Sequence, residues 1–437
     1  MHLKVAFNWD QKPLYDVIAR IPGAMFPDEW IIRGNHHDAW VNGAADPVSG
    51  ISAELEEARA MGELRKQGWS PKRTIVYAAW DGEEPGLLGS TEWVETHGDD
   101  LKQHAVVYIN SDGNGRGFFN AAGSHSLERF VNGVAREISD PEAAVSIWKR
   151  RQARSIIRGT SEERKDARER PDFRIGALGS GSDYTPFLQH AGVASLNLSF
   201  GDEDEDGIYH SIYDDFYFFT HFLDTDFAYG RALAQTVGTA VIRMADSDVL
   251  PFEFTDLGDT VEKYGKELRD LLKQKQDDAR EHNRQVQDGL FAAIKDPRDS
   301  RVPPKLEVVA PAINFAPLEN AATALTESGH RYEKALGKAG TRVAGNPAAL
   351  RELNAKLRNA EPQLVDAAGL PNREWYRHLL YAPGFYTGYA VKTLPAVREA
   401  IEEKQWKDVP AGVAATSAAI EKGAAQIRAA ARALGTP

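Results

Sequence analysis

The chain has 437 residues, 42% of them hydrophobic and 27% charged, with a formal net charge of −12 and no cysteine. That length exceeds one ordinary domain and can bury more than one core, no apolar run approaches the ~18 residues that span a bilayer, and the acidic balance gives no reason to expect nucleic acid as a partner. Without cysteine there are no disulfides, thiolate metal sites or cysteine nucleophiles, so any metal must be held by His, Asp or Glu, while the compartment stays open.

The first residues, MHLKVAFNWDQ, have no continuous apolar leader core and read as an alternating strand inside a domain. To about residue 245, β-rich runs alternate with amphipathic helical patterns, the rhythm of an α/β domain with a largely parallel sheet. The predicted strands are LKVAF, EWIIRG, TIVYAAW, HAVVYIN and VASLNLSF. Ile51, Leu55, Ala58, Met61 and Leu64 predict one helical face, and Leu127, Val131, Val134 and Ile138 another. Residues 149–174 interleave bases with Glu162, Glu163, Asp166 and Glu169, which predicts a solvated loop or a short exposed helix. After residue 250 strand signals fade and a helical domain is expected, so the chain divides into 1–248 and 249–437. Val413, Ile420, Ile427 and Leu434 recur every seven residues, a seam for another helix of this chain or of a partner.

The predicted strand ends carry His36, His37 and Asp38 in GNHHDAW, Asp46 in AADPVSG, Glu83 and Glu84 in WDGEEPG, Asp112 in YINSDGN, and Tyr209 and His210 in GIYHSIYD. In open α/β sheets ligands gather beyond the carboxyl ends of the strands, where these segments would converge. Two histidines and several carboxylates suit a pair of divalent cations, zinc first, with manganese or cobalt admissible because so many ligands are oxygen. A bridging carboxylate would hold two ions close together, a geometry that polarises carbonyls and acidifies water. Adjacent Glu83 and Glu84 would repel each other if buried alone, and leaving a strand in different directions they can divide the work, one binding metal and one taking a proton. Each feature alone also fits a polar strand end, a turn or a helix start; together they point to one site.

These segments, with LGSGSDYTPF and GLPNREWYRHLLYAP, resemble in order and spacing the binuclear zinc exopeptidases of metallopeptidase family twenty-eight, in the glutamate carboxypeptidase II branch, whose non-enzymatic relative is the transferrin receptor. The resemblance runs from about residue 12 to the C-terminus. It implies a mixed, largely parallel sheet flanked by helices, followed by an all-α helical-bundle domain that supports homodimers. It implies two zinc ions, one on His36 and Asp112, the other on Glu84 and His210, with Asp46 bridging them. Glu83 would be the general base in peptide hydrolysis by a metal-bound hydroxide, Asp38 would orient His36, and Tyr209 would donate to the developing oxyanion. His37, on the opposite side of its strand, would not be a ligand. The small peptide substrate would meet Ser180, Gly181, Ser182, Asn197 and Tyr389.

The chain departs from the family pattern where acidic substrates are bound. Gly388 stands where the family carries a lysine, although the following Tyr389 remains, and the three positions of its arginine patch fall on Asn197, Ser199 and about Ala122. The stretch GDEDEDG at 201–207 places five carboxylates before Tyr209 instead, which predicts that acidic substrate side chains are disfavoured. The family carries an anchor or signal, the first part of its peptidase domain and an apical domain ahead of this region, so either a truncated product or a shorter form with an open site is expected, with a sheet edge exposed by the missing strands, and the family's extracellular or periplasmic setting is implied. A carboxypeptidase is the expected activity, an aminopeptidase the alternative, and a catalytically silent dimeric binding module the alternative of another class.

Overall fold

The computed structural model describes residues 2–202, 207–296, 298, 302 and 304–435. Its centre is a six-stranded sheet in the order β1-β3-β2-β4-β6-β5, formed by β1 Val17–Ile21, β2 Phe26–His36, β3 Arg73–Trp80, β4 Ala105–Asn110, β5 Gly117–Gly123 and β6 Ser195–Asp202. β3, β2, β4 and β6 are mutually parallel and the two outer strands antiparallel to their neighbours. The four parallel strands are nearly continuous apolar runs because helices cover both faces, as buried parallel strands require. Four of the five predicted strands are present. LKVAF is not one: Leu3, Val5 and Phe7 are exposed and pair with nothing regular. The outer strands β1 and β5 are not among the predicted strands: VIARI is short and mostly exposed, and GFFNAAG is rich in glycine and alanine, which favour strands weakly.

Alternation along β2 sends Arg33 to one face and leaves room at Gly34 on the other. On the Arg33 face lies the Ser49–Lys66 helix, with the Ala228–Asp246 helix beside it. Its buried positions are Ser49, Gly50, Ile51, Ala53, Glu54, Glu57 and Met61; Leu55, expected on that face, is exposed. On the Gly34 face an aromatic layer packs, with Tyr108 stacked on Phe187 at 3.9 Å and Trp80 against Trp93 at 5.4 Å. Leu127, Val131 and Val134 are buried as their spacing predicts.

Residues 149–174 form short helices, one of the two expected forms, and the second helix is mostly exposed, but the segment is not solvated throughout. They lie largely in two helices, Ile147–Arg158 and Ser161–Glu169, the second started by a Thr160/Glu163 capping box. The bases are not solvated as a set: Arg170 reaches Glu128 at 2.5 Å, Asp256 at 2.9 Å and Asp259 at 3.1 Å. Interleaved charge reads as a solvent face because nothing local reveals acids at Glu128 and Asp256 waiting to pair with it.

Beyond Asp246 the chain is mainly helical, with long helices Thr255–Gln287, Ala316–Ala344 and Val409–Ala433. Val413, Ile420, Ile427 and Leu434 are all buried within this chain, where the last helix packs on Ala316–Ala344, so the seven-residue seam is used internally. The region is not wholly α: β7 Tyr381–Pro383 and β8 Val391–Thr393 form a hairpin whose tip carries Gly388 and Tyr389. No helix among the described residues is long and apolar enough to cross a membrane.

Candidate metal centre

The carboxyl ends of β2, β3, β4 and β6 lie on one edge of the sheet, and their outgoing segments bring the predicted residues together. His36 ends β2 and is 1% exposed. Its Nε2 stands 3.0 Å from Asp112 Oδ1, 3.3 Å from Asp46 Oδ1 and 4.0 Å from Glu83 Oε2. His210 Nε2 stands 3.1 Å from Glu84 Oε2 and 3.3 Å from Asp46 Oδ2. Asp46 therefore shows one oxygen to each histidine. Ligand atoms of His36, Glu83 and Asp112 form one group within 4.8 Å, and those of Asp46, Glu84 and His210 form a second. His37 belongs to neither; it is exposed and its Nε2 faces the Tyr15 carbonyl.

Two supporting contacts go beyond what the sequence predicts. Asp214, the last residue of the IYHSIYD segment, accepts the backbone N–H groups of Ala45 at 2.6 Å and Asp46 at 3.0 Å, which aims the Asp46 side chain. The motif contains Asp214, but only the fold shows what it holds. Asp38 is expected to orient His36, yet its backbone oxygen is nearer to His36 Nδ1, at 3.0 Å, than its carboxylate, at 3.5 Å. The carboxylate is occupied by the backbone N–H groups of Glu83 and Glu84.

Electrostatically the cluster calls for positive charge. Burial pushes the Glu83 carboxyl up to about 9, with repulsion from Asp183 and Asp112 adding to it and His36 opposing it. Burial, with repulsion from Asp46, pushes Glu84 up to about 7. Burial disfavours a charged His36, but contacts with Asp112, Asp38 and Asp46 outweigh it and raise its pKa far above the ordinary range. Asp46 is raised, chiefly by burial, and its buried Oδ1 makes no hydrogen bond. Four carboxylates around two imidazoles, one carrying a buried oxygen without a donor, fit divalent cations, whose charge would reverse the upward shifts.

A cavity of about 510 Å³ opens over these residues. Gly181, Ser182, Asn197, Tyr209 and Tyr389 line it. Ser182 Oγ donates to Asp112 Oδ2 at 2.6 Å, and Asn110 Nδ2 donates to both Ser182 Oγ and Asn197 Oδ1. Gly181, at φ 105°, lies under the Tyr389 ring, where a Cβ would press on it. The Tyr209 ring stacks on His210 at 3.6 Å. Ser180 is the exception: its hydroxyl faces Thr185 Oγ1 and not the cavity, because its backbone N–H is held by the Tyr389 carbonyl. Of the acidic stretch, Asp202 lines the cavity, while residues 203–206 lie outside the described residues.

The model of peptidase family M28 matches residues 16–221, and that of the transferrin receptor-like dimerisation domain matches residues 313–428. A probable glutamate carboxypeptidase of Arabidopsis thaliana is 35% identical over 393 residues, covering 89% of this chain and 49% of that protein. The aminopeptidase NAALADL1 of Rattus norvegicus is 29% identical over 435 residues, covering 94% of this chain and 52% of that protein. A solved zinc aminopeptidase from Bacillus subtilis superposes with a TM-score of 0.38 at 20% identity, over 53% of this chain and 50% of that one. The chain spans about half the length of the curated relatives it matches. With its peptidase region followed by that dimerisation region, the chain belongs to peptidase family M28, in the branch shared by glutamate carboxypeptidases and the transferrin receptor.

Proposed function

We propose that this protein is a zinc-dependent exopeptidase that hydrolyses small peptides in the manner of a carboxypeptidase and acts as a homodimer. The observation that carries the reading is Asp46, whose two oxygens stand 3.3 Å from His36 Nε2 and 3.3 Å from His210 Nε2. His36 and Asp112 would hold one ion, Glu84 and His210 a second, and Asp46, which faces both histidines, would hold both; Glu83 lies within reach of the first group. When bound, the ions supply Lewis-acid polarisation of a carbonyl and lower the pKa of water. Glu83, beside this pair but not needed to hold it, takes the water proton on a carboxylate oxygen and returns it to the leaving amine. Tyr209 donates its hydroxyl to the carbonyl oxygen as charge develops there. Asn197 has its Oδ1 committed to Asn110, which leaves its amide N–H groups for the substrate. Relatives named glutamate carboxypeptidase and a dimerisation-domain match support the reading.

An aminopeptidase is the second reading, favoured by the charge of the cavity. Outside the residues that would hold the ions or act as base, its described lining keeps Asp202 and Asp214, against Arg116, which pairs with Glu142 at 2.5 Å. Such a wall suits an ammonium group and disfavours acidic side chains. A panel of acidic, neutral and basic dipeptides, with free and blocked termini, separates the two; a clear preference for acidic peptides would remove the charge argument.

The deciding test is metal content with dipeptide hydrolysis for wild type and Glu83→Gln. Two ions per chain in both proteins, with hydrolysis reduced about 10²–10⁴-fold in the variant, supports the assignment. A wild type that takes up no metal sinks it and returns the silent binding module.

A further inference from the structure

Behind the metal centre lies a buried ion cluster that the proposed chemistry does not use. Arg33 is 0% exposed, in the middle of the sheet and three residues before His36. Its Nε and Nη2 donate to the two oxygens of Glu57 at 3.1 and 3.3 Å, and Nη1 stands 3.3 Å from Glu54 Oε2. Nη1 also donates to the Gly34 carbonyl and Nη2 to Ser111 Oγ, both at 2.6 Å. Ser111 Oγ in turn donates to Asn35 Oδ1 at 2.6 Å, and Asn35 Nδ2 to the His36 carbonyl at 2.9 Å.

One guanidinium thus reaches three of the five segments that carry an expected ligand. Ser111 immediately precedes Asp112, Asn35 precedes His36, and Glu54 and Glu57 sit on the Ser49–Lys66 helix that starts just after Asp46. The start of that helix is tied to the same place: Ser49 Oγ donates to the Ala45 carbonyl at 2.5 Å and accepts the Asn114 N–H at 2.7 Å.

Stability does not account for such a cluster. Desolvating these charges costs several kcal/mol per ion, and well-packed apolar residues in the same volume are commonly as stable or more so. Here two acids face one base, which is the worse arrangement, and burial pushes Glu57 up to about 7 and Glu54 well above its ordinary range. What a forked cation offers and an apolar core does not is fixed direction toward several partners at once.

We infer that Arg33, with Glu54, Glu57 and Ser111, is a positioning device that sets the spacing of His36, Asp112 and Asp46 and so the metal affinity of the centre. The inference rests on the metal-centre reading above. It is tested by replacing the cluster as a whole, Arg33→Met with Glu54→Leu and Glu57→Leu, so that no buried charge is orphaned. The expected protein melts at or above the wild-type temperature, binds Zn²⁺ about 10–100-fold more weakly in competition with a chelator, gives an altered Co²⁺ visible absorption spectrum, and loses kcat with KM little changed. Wild-type Zn²⁺ affinity and Co²⁺ spectrum in that variant would overturn the inference and leave the cluster as core. Ser111→Ala, which keeps the triad and cuts only its link to Asn35, decides the matter should the triple variant not fold: weaker Zn²⁺ binding at an unchanged melting temperature supports the device, and unchanged binding overturns it. Failure of the metal-centre reading looks different, because then the wild type itself takes up no Zn²⁺.

Discussion

One carboxylate oxygen of Asp38 accepts the backbone N–H of Glu83 at 3.0 Å, and its other oxygen takes the N–H of Glu84 at 3.2 Å. Burial alone would raise the Asp38 pKa, but His36 and these two N–H groups lower it below the ordinary carboxylate range. The two glutamates can therefore diverge from a backbone pinned at both residues. Asp38→Ala releases that backbone and leaves two N–H groups unpaired. We expect kcat to fall about 10–100-fold with partial loss of metal, read by hydrolysis rate and metal analysis, while Asp38→Asn, which keeps one good acceptor, falls between.

Gly50 is needed for close approach. A Cβ there would overlap the Asp112 carbonyl oxygen and crowd Asn35 Oδ1. Gly50→Ala is helix-compatible, yet it pushes the segment carrying Asp112 away from the Ser49–Lys66 helix. The expected result is soluble protein with sharply reduced metal content; retained metal with full hydrolysis would show that the Asp112 segment can yield.

The Arg33 cluster predicts a pH dependence of stability. Glu57 is raised to about 7 in the folded protein against ~4.3 unfolded, so the folded state holds the extra proton between those values and stability falls as pH rises from about 4 to 7. Glu54 shifts in the same direction. The charged and titratable groups facing the pair are Arg33 on β2, Tyr77 on β3 and Asp183. Glu54→Gln removes one of two competing acids, so its melting temperature should exceed that of wild type at pH 8 by about 1–3 °C and match it near pH 5. An equal difference at both pH values would count against the cluster as the source.

Ile420 is fully buried in the last helix, on the seven-residue seam. Ile420→Ala should cost about 2–4 kcal/mol in denaturant unfolding and leave the sedimentation coefficient of the folded protein unchanged, because that seam packs within the chain. A shift toward monomer without loss of stability would place the seam at a subunit contact instead.

The sequence by itself determined the parallel core of the sheet, since EWIIRG, TIVYAAW, HAVVYIN and VASLNLSF are apolar runs long enough to be legible without context. It also named the residues that meet at the strand ends, because side chains leaving parallel strands on one edge must converge whatever the details of the loops. It did not identify β1 or β5, whose antiparallel partners lie far along the chain and supply the pairing that their own composition does not. In 149–174 the helix starts are capped locally by Ser146 and Thr160, and what the sequence does not reveal is that the distant acids Glu128 and Asp256 accept Arg170. Only the tertiary structure decided that Asp38 serves the glutamates as well as His36, that Asp214 aims Asp46, and that Arg33 gathers three ligand segments. Hydrogen-bond direction and charge pairing are set by which atoms come within about 3 Å of each other across long sequence separations, and a one-dimensional pattern carries hydrophobic period but not that distance.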